Sequence, residues 1–564
     1  MIKKCRQCAK DFEITNDDLK FYEKMGVVPP TLCPIDRARN RLAFRNQRNL
    51  YRRKCDATGK SLLSIYSSDV PFPVYDREYW YSDKWNGLDY GRDFDFNRPF
   101  FEQFRELYYE VPASHQSAIG IENCDYCNSL GYCRNCYLSF GMDYCESCYY
   151  ITNGVRCKDC VDCLALIDSE VCYECVRIRN CYNLKYSLRC TNCSDSYFLM
   201  DCRGCKNCIG CVNLVNKDFF IFNKKVSKEE FSLSPKTIKP EFEEKKQELQ
   251  SLNGINKFKK DFEEFHVKFP KKYYFGNTNE GFSGDDIRNL KNSYNCYYSD
   301  ELENCKHCNY VYNSNNCQDF NIFGDNSSWI YNCFASGENC SQNAFCMHVW
   351  NGSSNNFYCN FLIGSNNCFG CCSLFHRKYC ILNKQYSKEE FFKLRDKIIE
   401  HMKKTGEWGE FFPPQISALG YNETLGYEYY PLTKEEVLKL GWNWKDKIEE
   451  IQEIKGEKIE AINLPDKIDE VNEDILGQVI ICSVSGRPFM IQKPELEFYK
   501  KFKIPLPQRH PEIRNADKLK LRNPFILHHK ICDKEGCNNE FETTFTPEMP
   551  EKVYCEFCYL NEVV

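Results

Sequence analysis

The chain has few histidines, nine in 564 residues, and none stands in a catalytic arrangement. A Walker loop, a dinucleotide fingerprint, a nucleophile elbow and a His-Glu-x-x-His pair are all missing, so the common phosphate, hydride, acyl-transfer and zincin chemistries lose their usual supports. Basic charge is not in excess: 75 Lys and Arg face 80 Asp and Glu for a net of -5, so any nucleic-acid contact must be local. No run approaches the roughly 18–20 apolar residues of a membrane helix, and no membrane partner is expected. Behind Met1-Ile2-Lys3-Lys4-Cys5 there is no apolar stretch of the kind that directs secretion. An odd number of cysteines, 39, also fits full disulfide pairing poorly. The expectation is a cytoplasmic protein whose thiols are reduced or metal-bound. No small-molecule substrate can be read from the sequence.

What is abundant is cysteine, and it is phased. Between Cys124 and Cys211 every cysteine falls in one register modulo three, and many recur at twenty-one, as Cys124 with Cys145 and Cys190 with Cys211 do. A fixed period of this size marks a solenoid or an array of metal knuckles. As a solenoid, CxxC around a two-residue corner would stack thiols down the core, and Asn-Cys pairs such as Asn123-Cys124, Asn135-Cys136, Asn192-Cys193, Asn304-Cys305 and Asn367-Cys368 suit ladders of turn asparagines. If twenty-one residues make one turn, the Cα atoms of Cys124 and Cys145 lie about 4.7–5 Å apart. A zinc-decorated array and an iron–sulfur protein are the competing readings; Cys202-x-x-Cys205-x-x-Cys208-x-x-Cys211 is superficially like iron–sulfur ligation. Shared phase favours the metal-free solenoid, because independent knuckles need no common register.

Two internal repeats organise the chain. Cys208, Cys211, Leu214, Ile221, Asn223, Lys224 and Ser227-Lys228-Glu229-Glu230-Phe231 match Cys368, Cys371, Leu374, Ile381, Asn383, Lys384 and Ser387-Lys388-Glu389-Glu390-Phe391 at a constant offset of 160. A shift of 477 lays the N-terminus on the C-terminus: Cys5 on Cys482, Phe12 on Phe489, Phe21-Tyr22 on Phe498-Tyr499, Pro34 on Pro511, Arg45-Asn46 on Arg522-Asn523 and Cys55-Asp56 on Cys532-Asp533. The expected fold is mainly β with α: two duplicated cysteine-rich β-solenoid modules, helices after each, and small zinc-ribbon domains at both ends. The expected segments are a ribbon with a basic helix (1–60), an aromatic connector (61–115), the first array (116–226) and a helical insertion (227–274). The second array (275–386), a helical cap (387–447), a charged linker (448–476) and a degenerate ribbon copy with a C-terminal zinc ribbon (477–564) complete the chain. Capping boxes at Ser227/Glu230, Ser387/Glu390 and Thr433/Glu436 set helix starts, and Pro240 opens a charged helix ending near Gly254.

Two close pairs of soft ligands hold zinc tetrahedrally. At the N-terminus Cys5, Cys8 and Cys33 supply three ligands; the fourth is Asp36, Cys55 reaching back, or a water in an open site. Cys532, Cys537, Cys555 and Cys558 form C-x4-C-x17-C-x2-C, a zinc-ribbon spacing in its own right. Zinc is the expected cofactor. Arg37, Arg41, Arg45, Arg48 and Arg52 recur at helical spacing, and Arg514, Lys518 and Arg522 keep three of these positions in the second copy. Such a stripe fits nucleic acid or a ribonucleoprotein, an acidic protein partner, or plain solvation.

Cys5, Cys8, Phe12, Phe21-Tyr22, Pro30, Cys33 and Arg37 resemble the treble-clef-like zinc ribbon family, with pattern CxxC, Phe, Phe-Tyr, Pro and CxxCR; Asp36 departs from it. The second copy departs further, with Cys482, Ser485, His510 and Ile513 at the ligand positions, and is expected to have lost its zinc. The stretches Tyr90-Gly91-Arg92-Asp93-Phe94-Asp95-Phe96 and Thr405-Gly406-Glu407-Trp408-Gly409-Glu410-Phe411-Phe412, with the array-closing segments, resemble cysteine-rich proteins of candidate-phyla bacteria. That resemblance implies no activity. The expected function is a cytoplasmic zinc-binding scaffold or binding protein, contacting nucleic acid or ribosome through the basic helices. The alternative is a redox or nucleic-acid-processing enzyme with an open zinc or an iron–sulfur centre.

Overall fold

The computed structural model describes residues 1–226, 240–446 and 455–563. In the first array Phe140–Asp143 pairs in parallel with Asn128–Gly131 on one side and Thr152–Val155 on the other, Phe140 facing Asn128 and Thr152. Rungs therefore repeat every twelve residues, which is also the separation across the hydrogen bond from the Cys157 amide to the Cys145 side-chain Sγ. This corrects the expected twenty-one-residue turn: Cys124 lies opposite Cys136, not Cys145. The architecture is nonetheless the β-solenoid that the phasing implied.

The modulo-three register has a backbone cause. Every third residue is left-handed, among them Tyr144 (φ 54°), Ser147 (52°), Tyr150 (58°) and Asn153 (59°), and each precedes an inward position, held by Cys145, Cys148, Ile151 and Gly154. The chain turns every three residues, so a twelve-residue coil carries an inward residue on each of its sides. Left-handed backbone is least costly for Asn and Asp. Asn123, Asn135, Asn192, Asn304 and Asn367 all hold φ between 49° and 55°, and Asn123 donates to Asn135 on the next rung at 3.2 Å.

The same geometry selects cysteine. Cys133 Sγ donates towards the carbonyls of Gly131 (3.3 Å) and Met142 (3.5 Å), and Cys145 Sγ accepts from the amide of Cys157 at 3.4 Å. An inward thiol such as Cys145 thus accepts a buried amide of the next coil that would otherwise go unpaired, and adds a weak donor to carbonyls, such as that of Gly131, which already accept a backbone amide. Serine repeats the pattern: Ser139 Oγ donates to Tyr137 and Cys148 carbonyls and accepts from Ile151 N. Cys181, Cys296 and Cys317, in phase but unpaired in sequence, are buried core residues. The second array inserts a residue per coil in its middle: Gln318 faces Tyr331 and Ser328 faces Ser341, and Cys346 N reaches Cys333 Sγ thirteen residues back.

Both arrays close with a short antiparallel pair, Asp218–Ile221 with Lys224–Lys225 and Lys378–Ile381 with Lys384–Gln385. The capping box at Ser227 and Glu230 lies outside the described residues; those at Ser387 and Thr433 form, and the helix Lys388–Thr405 buries Phe391, Ile398 and Met402. The helix expected from Pro240 to Gly254 is two, Pro240–Glu248 and Leu252–His266, with Ser251 capping the second. Gly254 sits inside that second helix because a Cβ there would meet the Glu248 carbonyl oxygen at 2.0 Å. In the stretch read as a linker, Glu457–Glu460 pairs with Gln478–Ile481, and Ala461, Ile468 and Ile475 share a core with Tyr150, Val161 and Tyr173 of the first array. Its apolar residues fall at spaced positions among charges, which hid that core.

The arrays lie side by side about an internal pseudo-two-fold. Stepping back coil by coil from the matched closing segments places Asn153 on Tyr310, Asp143 on Asp300, Arg179 on Glu338 and Asp162 on Asp319. Asn153 Nδ2 donates to Tyr310 Oη at 3.1 Å, a contact between equivalent positions and so on the axis. Each terminal module packs on the array of the other half: Tyr22 stands 5.2 Å from Tyr331, and its copy Tyr499 stands 5.7 Å from Tyr173, the position equivalent to Tyr331.

Candidate metal centres

Among the described residues, two groups bring three or more ligand atoms within 4.8 Å of one another: Cys5, Cys8, Cys33 and Asp36, and Cys532, Cys537, Cys555 and Cys558. A tetrahedral ion with metal–sulfur bonds of about 2.3 Å needs sulfurs about 3.8 Å apart. Cys8 and Cys33 Sγ are 3.7 Å apart, and Cys537 and Cys555 Sγ are 3.9 Å apart. Asp36 Oδ2 lies 3.2 Å from Cys5 Sγ and 3.4 Å from Cys33 Sγ, spacings that a coordinating carboxylate oxygen requires. The donor sets therefore fit a metal ion.

Local folding builds each site. Cys5 follows the strand Ile2–Lys4 in a tight knuckle closed by Ala9 N to Cys5 O (2.9 Å), with Ala9 left-handed at φ 58°. Cys33 and Asp36 begin the helix Pro34–Leu42, and the Cys33 amide donates to Cys5 Sγ at 3.2 Å. Asp36 is buried; its second oxygen accepts from Arg39 at 2.6 Å and from Gln7 at 3.3 Å, so one carboxylate faces the thiols and a guanidinium at once. Burial, followed by the neighbouring Asp36 charge, raises the Cys33 thiol pKa, and burial with an Asp36 hydrogen bond raises that of Cys8. Metal binding must displace those protons, so affinity weakens as pH is lowered.

Cys55 is elsewhere. It opens a third knuckle, closed by Gly59 N to Cys55 O at 2.8 Å, and its sulfur accepts from the Asp76 amide at 3.2 Å as Cys5 does from Cys33. Cys482 forms a fourth, with the His510 amide donating to its sulfur at 3.2 Å, and Cys532 repeats it with the Cys555 amide at 3.3 Å. Each end of the chain thus carries two knuckle modules, one with a full ligand set and one without. Thr58 and Asp76 occupy the positions that cysteines would fill in the second N-terminal module, which hid it; the signal was the Cys55-Asp56 match to Cys532-Asp533, and in the structure Asp56 N donates to Val74 O as Asp533 N does to Val553 O, both at 3.0 Å. In the Cys482 module His510 caps the helix Pro511–Lys520 by accepting from Glu512 N at 3.1 Å, whereas Cys33 gives its helix no side-chain cap.

Arg37, Arg41 and Arg45 of the arginine stripe are buried, which corrects their expected role in an exposed phosphate-binding surface. Arg37 and Arg41 are buried on Asp319, at 2.7 and 3.6 Å, and Arg41 also donates to Asn321 (2.7 Å) and Asn332 (2.8 Å) of the second array. Arg45 is 7% exposed and donates to Gln47 at 3.3 Å. Arg48 donates to Thr152 and pairs with Glu512 at 2.9 Å while lying 4.5 Å over Phe140. Arg52 is exposed on the strand Tyr51–Lys54. In the second copy Arg514 and Lys518 both pair with buried Asp162, the position equivalent to Asp319, and Arg522 pairs with Glu428 at 3.1 Å. The sequence spacing hid this because Asp319 lies 282 residues from Arg37.

Other candidates resolve simply. His307 is left-handed at φ 56° and joins no ligand group with Cys305 and Cys308 among the described residues; burial lowers its pKa to about 4. Cys371 points into the array and Cys372 into the outer core, so they are not a facing pair. Trp80, Phe100, Phe104 and Leu107 of the aromatic connector are fully buried, Trp80 against Phe361 and Phe375 of the second array. No helix among the described residues is long and apolar enough to cross a membrane. Comparison with models of known families gives no match, and comparison with curated proteins gives none.

The two metal centres should differ in lability. A carboxylate is a harder, more readily exchanged ligand than a thiolate, and Cys8 is exposed. A chelator is expected to strip metal in two phases, the faster from the N-terminal centre, and Asp36→Cys should merge them into one slow phase. Equal rates in the unaltered protein would contradict this.

Proposed function

We propose that the protein is a non-enzymatic, zinc-stabilised scaffold in which the terminal modules clamp two solenoids side by side around a cleft. The observation that carries this reading is the duplicated clamp, Arg37 and Arg41 on Asp319 and Arg514 and Lys518 on Asp162. Charge spent on equivalent buried aspartates of the opposite array serves internal docking, so the basic helices are not offered to a polyanion. Zinc suits both donor sets, being tetrahedral and redox-inert. Asp36 in the fourth position favours a structural centre over one that activates water. Thirty-nine free cysteines, most engaged in hydrogen bonds to backbone, suit a reducing compartment such as the cytoplasm.

Limited proteolysis with and without a chelator tests the clamp. Removing zinc at neutral pH should open cleavage in the segments around 1–50 and 528–563 first, while the arrays, held by their own ladders, stay resistant. Unchanged cleavage, or arrays that are cut as fast as the ends, would overturn the reading.

A further inference from the structure

The pseudo-two-fold is broken along the cleft between the arrays. One face of each array lines it, Gly131, Asp143, Val155, Ile167 and Arg179 on successive rungs of the first and Arg288, Tyr312 and Glu338 on the second. In one half the chain lines this space with its own ion pairs. Arg179 pairs with Asp300; Arg288 lies 3.7 Å from the same carboxylate and 5.3 Å from the Phe275 ring. Arg177 sits 5.0 Å over Tyr298 and pairs with Asp285 and Asp286, both at 3.1 Å.

In the other half each bulky or cationic member has a small or acidic counterpart. Gly131 stands for Arg288, Gly141 for Tyr298, Ala335 for Arg177 and Glu338 for Arg179, while Asp143 keeps the acid of Asp300. Gly131, Gly141, Asp143 and Glu338 all line the cavity, so in this half two carboxylates stand without the counterparts of Arg179 and Arg288, which line the other half of the same space. Phe323 and Trp350, 5.5 Å apart, form an aromatic wall, and the Trp350 Nε1 is buried without a partner. Arg45 lines the same space with no carboxylate within 4.0 Å among the described residues.

We propose that this half of the cleft binds an organic cation with a guanidinium head, the group that Arg179 and Arg288 supply in the equivalent half. Its head would lie between Asp143 and Glu338, and its body against the aromatic wall, where a cation is favoured over an indole face. Within this half the charges balance: Arg177, Arg179 and Arg288 of the other half are already paired with Asp285, Asp286 and Asp300, so Asp143 and Glu338 beside Arg45 leave room for one positive charge. The inference extends the scaffold reading by giving the cleft a ligand, and does not depend on the metal.

The pKa of Asp143 is raised to about 8, by burial first, with Cys133 and Glu338 adding to the rise and Arg45 opposing it. A bound cation therefore drives out its proton, and affinity should grow as pH rises from 6.5 to 8.5. Arg45, Glu338, Cys133 and Tyr144 are the titratable and charged groups facing it.

Calorimetry on the full-length, metal-loaded protein with agmatine and L-arginine is the test, with citrulline as the neutral isostere. One equivalent of agmatine or arginine should bind, citrulline at least tenfold more weakly. Gly131→Arg, which copies Arg288, should abolish binding, and Asp143→Asn or Glu338→Gln should weaken it tenfold or more and, for Asp143→Asn, flatten the pH dependence. No binding of either guanidine at 10 mM to correctly loaded protein, or equal binding of citrulline, would overturn the proposal. Since metal content and protease resistance are measured on the same sample, failure here is distinguishable from failure of the clamp.

Discussion

Asp319→Ala is expected to destabilise the docking of the N-terminal module by about 3–5 kcal/mol, because it leaves two guanidiniums buried with no counter-charge. The side chains of Arg37, Arg41 and Asp319 are 5%, 0% and 0% exposed, so water cannot replace the lost partner. Asp162→Ala should do the same to the C-terminal module, since Arg514 and Lys518 are both buried on it. The first transition in a denaturant titration, with metal content measured alongside, reads the effect. Losses below about 1 kcal/mol at both sites would place these pairs among exposed ion pairs. The pH dependence has a defined sign. Burial opposes ionisation of Asp319, but Arg37 and Arg41 overcome it and hold its pKa below the ordinary value. A depressed carboxylate contributes stability above its unfolded pKa, roughly 3.9, and loses it as pH falls through the folded value. The clamp should therefore hold at pH 5 and fail only in stronger acid.

Cys33→Ala should cost more, because one residue joins metal to clamp. Cys33 precedes the helix Pro34–Leu42 that carries Arg37 and Arg41, its amide holds Cys5, and that helix has no side-chain cap of its own. Structural zinc sites contribute roughly 10–16 kcal/mol of apparent binding free energy at neutral pH. Losing the ion should remove one metal equivalent and loosen the helix start, exposing residues 1–50 to protease. His510→Ala at the equivalent position should leave metal content unchanged and cost about 1 kcal/mol, the usual value of an N-cap. A Cys33→Ala protein that kept its full metal content would contradict the ligand assignment.

Much of this was legible in the sequence, and the exceptions share a cause. Offsets of 160 and 477 survive because duplication copies whole segments, and the eight ligand residues survive because paired ligands keep short spacings. The coil length was misread because inward positions recur every three residues: a twenty-one-residue recurrence needs only common phase, and Cys124 and Cys145 share phase without sharing a rung. Inserted residues hid the phase in the second array, where coils of thirteen shift it between Cys317 and Cys333. The inward turn of Arg37 and Arg41 depends on Asp319, a residue that nothing local connects to them. The module at Cys55 was missed because Thr58 and Asp76 keep its geometry without its ligands.

Native mass spectrometry with elemental analysis of anaerobically purified protein tests the central claim most directly. Thiols that serve array backbone need no metal, and among the described residues the two terminal groups are the ones that gather metal donor sets. Two zinc ions per chain and no iron are expected, falling to one in Cys33→Ala and one in Cys555→Ala. Five or more metal ions, or stoichiometric iron with visible absorbance, would show that the arrays are metal centres and contradict the account.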